Sequence, residues 1–292
     1  MTTTREGPAF GPFEQITVDV RDRVAYVDLD NPPVNVLGAK LIAEIRLIAD
    51  SLDQNPLVHV VVFRSSVPDF FIAHLDVEVC TNFPDGLPYE QTDLARFQQM
   101  IGRIRQMRKA TIGQVTGRAR GGGSEFLLAL DLRYAADSAV FCQPEIGFDI
   151  LPGGGGTQHL TQLIGRGRAL EMMLTGRDVS AVEAERYGYV NRVVPVGELS
   201  LVVEAVARRI AHFSSEAIAR IKACVDLAEP PLDAGLKLET KLFYTAIRAS
   251  STLRGMESFM AGGGQTLATE KDLDATLGHP PLLMHPAGLA GA

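Results

Sequence analysis

Val115-Thr116-Gly117-Arg118-Ala119-Arg120-Gly121-Gly122-Gly123-Ser124-Glu125-Phe126-Leu127-Leu128-Ala129-Leu130 joins three features in one run. Ala110 to Val115, just ahead of it, has the apolar character of a buried strand. The glycines then open a helix expected to reach about Leu130. That helix carries a carboxylate, Glu125, in its first turns and an apolar face behind it. A carboxylate leading so apolar a helix is either buried with a purpose or placed at the helix edge. Glycine lets backbone come close to a ligand. The N–H groups that start a helix are donors backed by its dipole. This run is not a phosphate-binding P-loop, since no Gly-Lys-Ser/Thr follows. Nor is it a nucleophile elbow, since Phe126 stands where that pattern needs glycine.

A second glutamate follows in Phe141-Cys142-Gln143-Pro144-Glu145-Ile146-Gly147, and another glycine run in Leu151-Pro152-Gly153-Gly154-Gly155-Gly156-Thr157-Gln158. Two carboxyls whose surroundings push their pKa values apart can serve as acid and base. Amides at a glycine turn can receive a developing oxyanion. Acid, base and oxyanion donors together fit addition of water to a carbonyl-conjugated alkene.

Working outward, Phe13–Val20 and Val24–Leu29 read as a hairpin, ended by Asn31-Pro32-Pro33. Leu41, Ile42, Ile45, Leu47, Ile48 and Leu52 outline an amphipathic helix over 37–52. Val58–Phe63 is a continuous apolar run, the mark of a buried parallel strand. Strand, helix and strand make a right-handed βαβ unit. Cys80–Thr92 reads as a mobile polar segment, and a helix is expected over 93–107. Short strands follow at Arg133–Ala136 and Ala139–Cys142, then helices at 157–163 and 167–174. Ser180 with Glu183 predicts a capping box. Val190–Val194 is the last strand, and residues 198–212, 214–227 and 232–247 are helical in pattern. The expected divisions are a core over 13–196, a helical region over 197–272 and a Gly/Pro-rich tail over 273–292; residues 1–12 read as a loose lead.

Composition sets the class. The 292 residues are 46% hydrophobic and 22% charged, with a net charge of −7 from scattered charges. These values are ordinary for a globular protein and give no reason to expect nucleic acid as partner. Cys80, Cys142 and Cys224 form no CxxC pair, which suits reduced thiols in the cytoplasm. The six histidines show no metal-binding spacing, so no metal is expected. No secretory leader and no run of about 20 apolar residues is seen, so no membrane span is expected.

The glycine–glutamate runs above resemble the crotonase superfamily (enoyl-CoA hydratase/isomerase), as do Asn31-Pro32-Pro33-Val34-Asn35-Val36-Leu37 and Leu174-Thr175-Gly176-Arg177. The resemblance spans about residues 14–196 and extends weakly to about 260. It implies an α/β fold, a ββα-superhelix with perpendicular stacked turns, and a C-terminal helical trimerisation region. It also implies homotrimers or hexamers and acyl-CoA thioester substrates, coenzyme A being part of the substrate and no separate cofactor being needed. By position, Glu125 and Glu145 match the two glutamates of hydratases, which hold water, the second delivering a proton to the α-carbon. Gly122 matches one oxyanion donor. Phe71-Ile72-Ala73-His74-Leu75-Asp76 should supply the other, assigned to Ala73 with Leu75 as the competing choice. His74, Leu75, Asp76, Gly121 and Gly153 are the implied substrate-binding positions, Gly153 lying near the bound water. The implied reaction is hydration of a 2-enoyl-CoA to a 3-hydroxyacyl-CoA. Isomerisation, dehydration, thioester hydrolysis or decarboxylation on the same scaffold is the alternative, as is non-catalytic acyl-CoA binding.

Three departures stand out. His74 replaces a glycine beside the oxyanion segment. Asp149 replaces a glycine past Glu145, a possible third carboxylate at the site. Met260-Ala261-Gly262-Gly263-Gly264 replaces a basic run that helps hold coenzyme A. Phe70, Phe71, Cys80–Tyr89 and the C-terminal helices are expected to wall the pocket.

Overall fold

The β-branched runs near the start form an antiparallel hairpin of β1 (Ile16–Arg21) and β2 (Val24–Leu29). Asp22 and Arg23 close it with φ of 50° and 64°, the paired positive values whose twist matches a two-residue hairpin. The structure is a computed structural model that describes residues 11–81, 88–280 and 282. The lead before residue 11, the middle of the Cys80–Thr92 segment and most of the tail lie outside the described residues.

Helix α1 (Ala39–Gln54) crosses from β2 to β3 (Val60–Ser65), which pairs parallel to β2. The predicted stripe is buried except for Leu47, which is 59% exposed; it falls off the face that the helical period turns inward. Next come β4 (Phe70–Ile72), α2 (Val77–Thr81), α3 (Asp93–Arg105), β5 (Ala110–Val115) and β6 (Arg118–Arg120). The glycine run opens α4 (Gly122–Leu128), followed by β7 (Leu132–Ala136), β8 (Val140–Cys142), α5 (Gly156–Ile164) and α6 (Arg166–Thr175). The core ends with β9 (Val179–Ser180), α7 (Ala181–Tyr187) and β10 (Arg192–Val194). At α7 the Ser180 hydroxyl and the Glu183 carboxylate cap reciprocally, as predicted.

The strands fall into two sheets. One has six strands in the order β1-β2-β3-β5-β7-β10, parallel beyond the first hairpin. The other has four, β4-β6-β8-β9, parallel except for the last pair. Each pass of the chain therefore places one strand in each sheet and then a helix: β3 and β4, β5 and β6, β7 and β8. This is the ββα spiral that the resemblance implied. The short strands β4, β6 and β9 escaped the sequence reading. Runs of two or three residues carry no usable alternation, and their pairing lies entirely with distant partners.

Six helices follow: α8 (Leu199–Ala211), α9 (Ser215–Ala228), α10 (Asp233–Ala246), α11 (Ser250–Ala261), α12 (Leu267–Lys271) and α13 (Leu273–Thr276). Helix α8 buries Leu199, Val203, Ala207 and Ala211 against the outer face of the larger sheet. Phe243 of α10, and Met256 and Phe259 of α11, instead join the main core. The expected tail begins differently from its composition: residues 273–276 are helical and Leu273 is buried.

Candidate active site

Two backbone amides come together first. Residues 34–37 run beside residues 73–76. The Ala73 N–H donates to Val34 O at 3.1 Å, Leu37 N–H to His74 O at 2.9 Å, and Asp76 N–H to Leu37 O at 3.1 Å. A trans peptide points its N–H opposite its C=O. With His74 O held by Leu37, the Leu75 N–H is turned the other way, and it has no acceptor among the described residues. The Ala73 amide is consumed by Val34 O, so Ala73, the expected donor, has no free N–H, while Leu75, the competing choice, has one.

Gly122 supplies the facing amide. It is the first residue of α4, where an N–H has no partner inside the helix, and it donates to nothing among the described residues. Gly122 packs directly against the Leu75 segment: a Cβ on Gly122 would lie 3.1 Å from Leu75 N. Gly121 turns the chain into the helix with φ of 46°. A Cβ there would come within 3.0 Å of Glu145 Oε1.

Both glutamates line the same cavity, of about 60 Å³, as do His74, Leu75, Gly121, Gly122 and Gly153. Glu125 is 2% exposed. Its Oε1 accepts from Gly154 N–H at 2.6 Å and Gly156 N–H at 2.9 Å. Glu145 starts a 3₁₀ turn, Glu145–Phe148, after Pro144. The Gln143 amide, turned to satisfy both of its ends, donates to the two Glu145 oxygens at 3.0 and 3.2 Å and accepts from Ser124 Oγ. Ser124 Oγ in turn meets Tyr189 Oη at 2.8 Å.

Burial raises the Glu125 pKa well above the usual carboxyl range; Glu145 and Glu239 add repulsion, and the two amides only partly offset it. Glu145 is likewise pushed up to about 8, chiefly by burial, with its own backbone amide and His74 opposing and Glu239 adding to the rise. A pKa raised on folding means that the folded state holds the proton over a range where the unfolded chain has lost it. The Glu145 contribution to stability therefore falls as pH rises from about 4.5 to about 8. Glu145→Gln should flatten the decline of melting temperature across that window; an unchanged slope would show that Glu145 is not held protonated.

Glu239, from α10, was not singled out in the sequence. Its carboxylate accepts from Gly155 N–H at 2.6 Å, from Thr157 N–H at 2.9 Å and from the Thr157 hydroxyl. It thus fixes the loop whose next amides hold Glu125. Gln98 adds a hydrogen bond to Gly153 O. Glu239→Ala should strand these donors and cost about 1–3 kcal/mol of stability, with a loss of turnover; unfolding and rate measurements on one preparation check both.

Other expected positions separate from the cavity. Asp76 is not in its lining; it caps α2, accepting from Glu78 N–H at 3.0 Å. Asp149 is exposed and also outside the lining. Its φ of 57° explains the replacement, because aspartate tolerates the left-handed conformation that favours glycine. Phe70 and Phe71 are buried in the core, Phe71 against Phe126. Phe97, Phe148, Phe243 and Phe259 wall the cavity instead, beside Cys80.

Two amides without acceptors among the described residues and two buried carboxyls thus meet at one cavity of a ββα spiral. A sequence model of the family described as "Enoyl-CoA hydratase/isomerase" matches residues 19–264. The chain belongs to the enoyl-CoA hydratase/isomerase family. It is 34% identical over 266 residues to the mitochondrial enoyl-CoA hydratase of Pongo abelii, covering 87% of this chain and 89% of that protein. It is 35% identical over 250 residues to a Mycobacterium bovis protein named "Probable enoyl-CoA hydratase", covering 85% and 95%. The crystal structure of an enoyl-CoA hydratase from Bacillus anthracis superposes with a TM-score of 0.69 at 30% identity, covering 87% of this chain and 98% of that one.

Proposed function

We propose that the protein adds water to a 2-enoyl-CoA, giving a 3-hydroxyacyl-CoA. The observation that carries this reading is the convergence of Glu125, Glu145 and the free amides of Leu75 and Gly122 on one cavity. The thioester oxygen lies between the two amides, which hold the charge that develops as the enolate forms. Amides already in place do so without reorganising at the moment of reaction.

Two charged carboxylates in so buried a space repel, so the working state carries one proton between them. Glu125 is assigned the base because the two amides on its Oε1 favour its charged form, although burial and the neighbouring carboxyls work against that charge. It takes a proton from water as the water oxygen bonds to the β-carbon. Glu145 gives its proton to the α-carbon, and proton exchange with the next water resets the pair. Atoms balance without a redox cofactor or metal.

Loss of the enone absorbance of crotonyl-CoA on addition of the protein tests the reading. No turnover across short, medium and aromatic enoyl-CoA thioesters would reject it.

We further propose a homotrimer or a dimer of trimers. Helix α9 leaves Ile221, Val225 and Leu227 66%, 57% and 87% exposed, beside a groove lined by Leu130, Leu163 and Phe213. Sedimentation should give three or six times 31.5 kDa; a monomer would overturn the assembly.

A further inference from the structure

Half-buried His74 and buried Glu270 are two titratable groups that the reaction above does not use. The first lies on the oxyanion segment; the second comes from α12, far along the chain. The His74 Nε2 lies 2.9 Å from Glu270 Oε1, and the Nδ1 lies 2.7 Å from Leu75 O. Both ring nitrogens face oxygen atoms, an arrangement that favours the imidazolium, in which each nitrogen donates. Burial works against that charge, but Glu270, the Leu75 carbonyl and Asp76 outweigh it, and the His74 pKa is raised. The Glu270 pKa is lowered: burial opposes the shift, and the charge and hydrogen bond of His74 drive it, helped by Gln265 N–H and Arg120.

The same residue also holds the other arm. Arg120, fully buried, donates to Glu270 O at 2.6 Å while its other guanidinium nitrogens pair with Asp178 at 2.8 and 2.6 Å. Arg120 ends β6, two residues before Gly122. One residue of α12 is thus bonded through its side chain to the segment carrying Leu75 N–H, and through its main chain to the segment carrying Gly122 N–H. Gln265 N–H adds a bond to Glu270 Oε1 at 3.1 Å. The turn Gly262-Gly263-Gly264 that reverses the chain into α12 includes Gly263 at φ of 91°. It stands where the basic run is missing, so two of the three sequence departures meet in this pair.

We infer that His74 and Glu270 are positioning residues that set the spacing of the two oxyanion amides, making α12 part of the catalytic apparatus. The inference rests on the hydratase reading. Leu37 holds the peptide carbonyl before the Leu75 amide, and the imidazole holds the carbonyl after it. Without the pair the second restraint is lost, and the Leu75 N–H can turn away from the thioester. Small misplacements of this kind are enough to slow a reaction strongly while leaving binding by the rest of the substrate intact.

The experiment compares Glu270→Ala, Glu270→Gln and His74→Ala with the unaltered protein. Each is assayed on crotonyl-CoA, and the infrared carbonyl band of a bound, unreactive acyl-CoA thioester is recorded. Glu270→Ala should lower kcat about 10- to 100-fold with little change in KM, and move the bound carbonyl band toward its free frequency. Glu270→Gln keeps an acceptor for Nε2 and should recover most of kcat and of the band shift. His74→Ala breaks the pair from the other side and should reproduce the Glu270→Ala effect even if that variant does not fold. The double substitution should lose no more than the worse single one. Unchanged kcat and carbonyl band in His74→Ala or in folded Glu270→Ala would overturn the inference. Absence of turnover by the unaltered protein would instead defeat the hydratase reading.

Discussion

Glu145→Gln should lower hydration of crotonyl-CoA about 100- to 10,000-fold, the range for removing a positioned acid or base. Glutamine keeps the shape and both polar ends, so the Gln143–Ser124–Tyr189 network is disturbed little; what is lost is the transferable proton. The pH profile sharpens the expectation. The acid form of Glu145 persists up to about pH 8 because burial holds the proton on. In the unaltered protein kcat/KM should therefore fall as pH rises through about 8. The residual rate of the variant should lack that limb. A variant with near-normal turnover, or one that keeps the same alkaline limb, would remove Glu145 from the acid role.

Gly122→Ala is the second large effect. The backbone itself accepts alanine, since Gly122 is not among the residues of positive φ. Yet the new methyl would sit 3.1 Å from both the Leu75 nitrogen and its Cβ. The methyl would therefore press on the segment that carries the second amide donor. To relieve that contact the Leu75 segment must shift, and the Leu75 N–H shifts with it. Loss of one donor in such a hole lowers kcat about 100- to 1000-fold. We expect a loss of that order, with a fall in melting temperature that is small beside it because only the Leu75 segment has to give. Parallel loss of fold and activity would mean that the glycine serves packing alone.

How much of this was legible depended on sequence distance. The first hairpin, the α1–β3 crossover, the Ser180–Glu183 cap and the start of α4 all follow from contacts within a few turns of chain. Glu125 and Glu145 were legible because each sits in a distinctive run, and because those runs recur in order in one family. The choice between Ala73 and Leu75 was not. It turns on which amides residues 34–37 take, a pairing across nearly forty positions that alternation cannot reveal. Glu239 and Glu270 were less legible still. Each looks like a solvated helix glutamate, and becomes a buried ligand of the site only because the C-terminal helices pack back over it.

Residue order alone was enough to specify the chemical groups of the site, the local turns and helix starts that present them, and the class of fold. These depend on short-range sterics and on side-chain type. Packing settled which amides remain unpaired, how far the carboxyls are stripped of water, and which distant carboxylates brace them. Hydrogen bonds saturate and charges respond to burial, so their availability depends on every neighbour that the folded chain brings near.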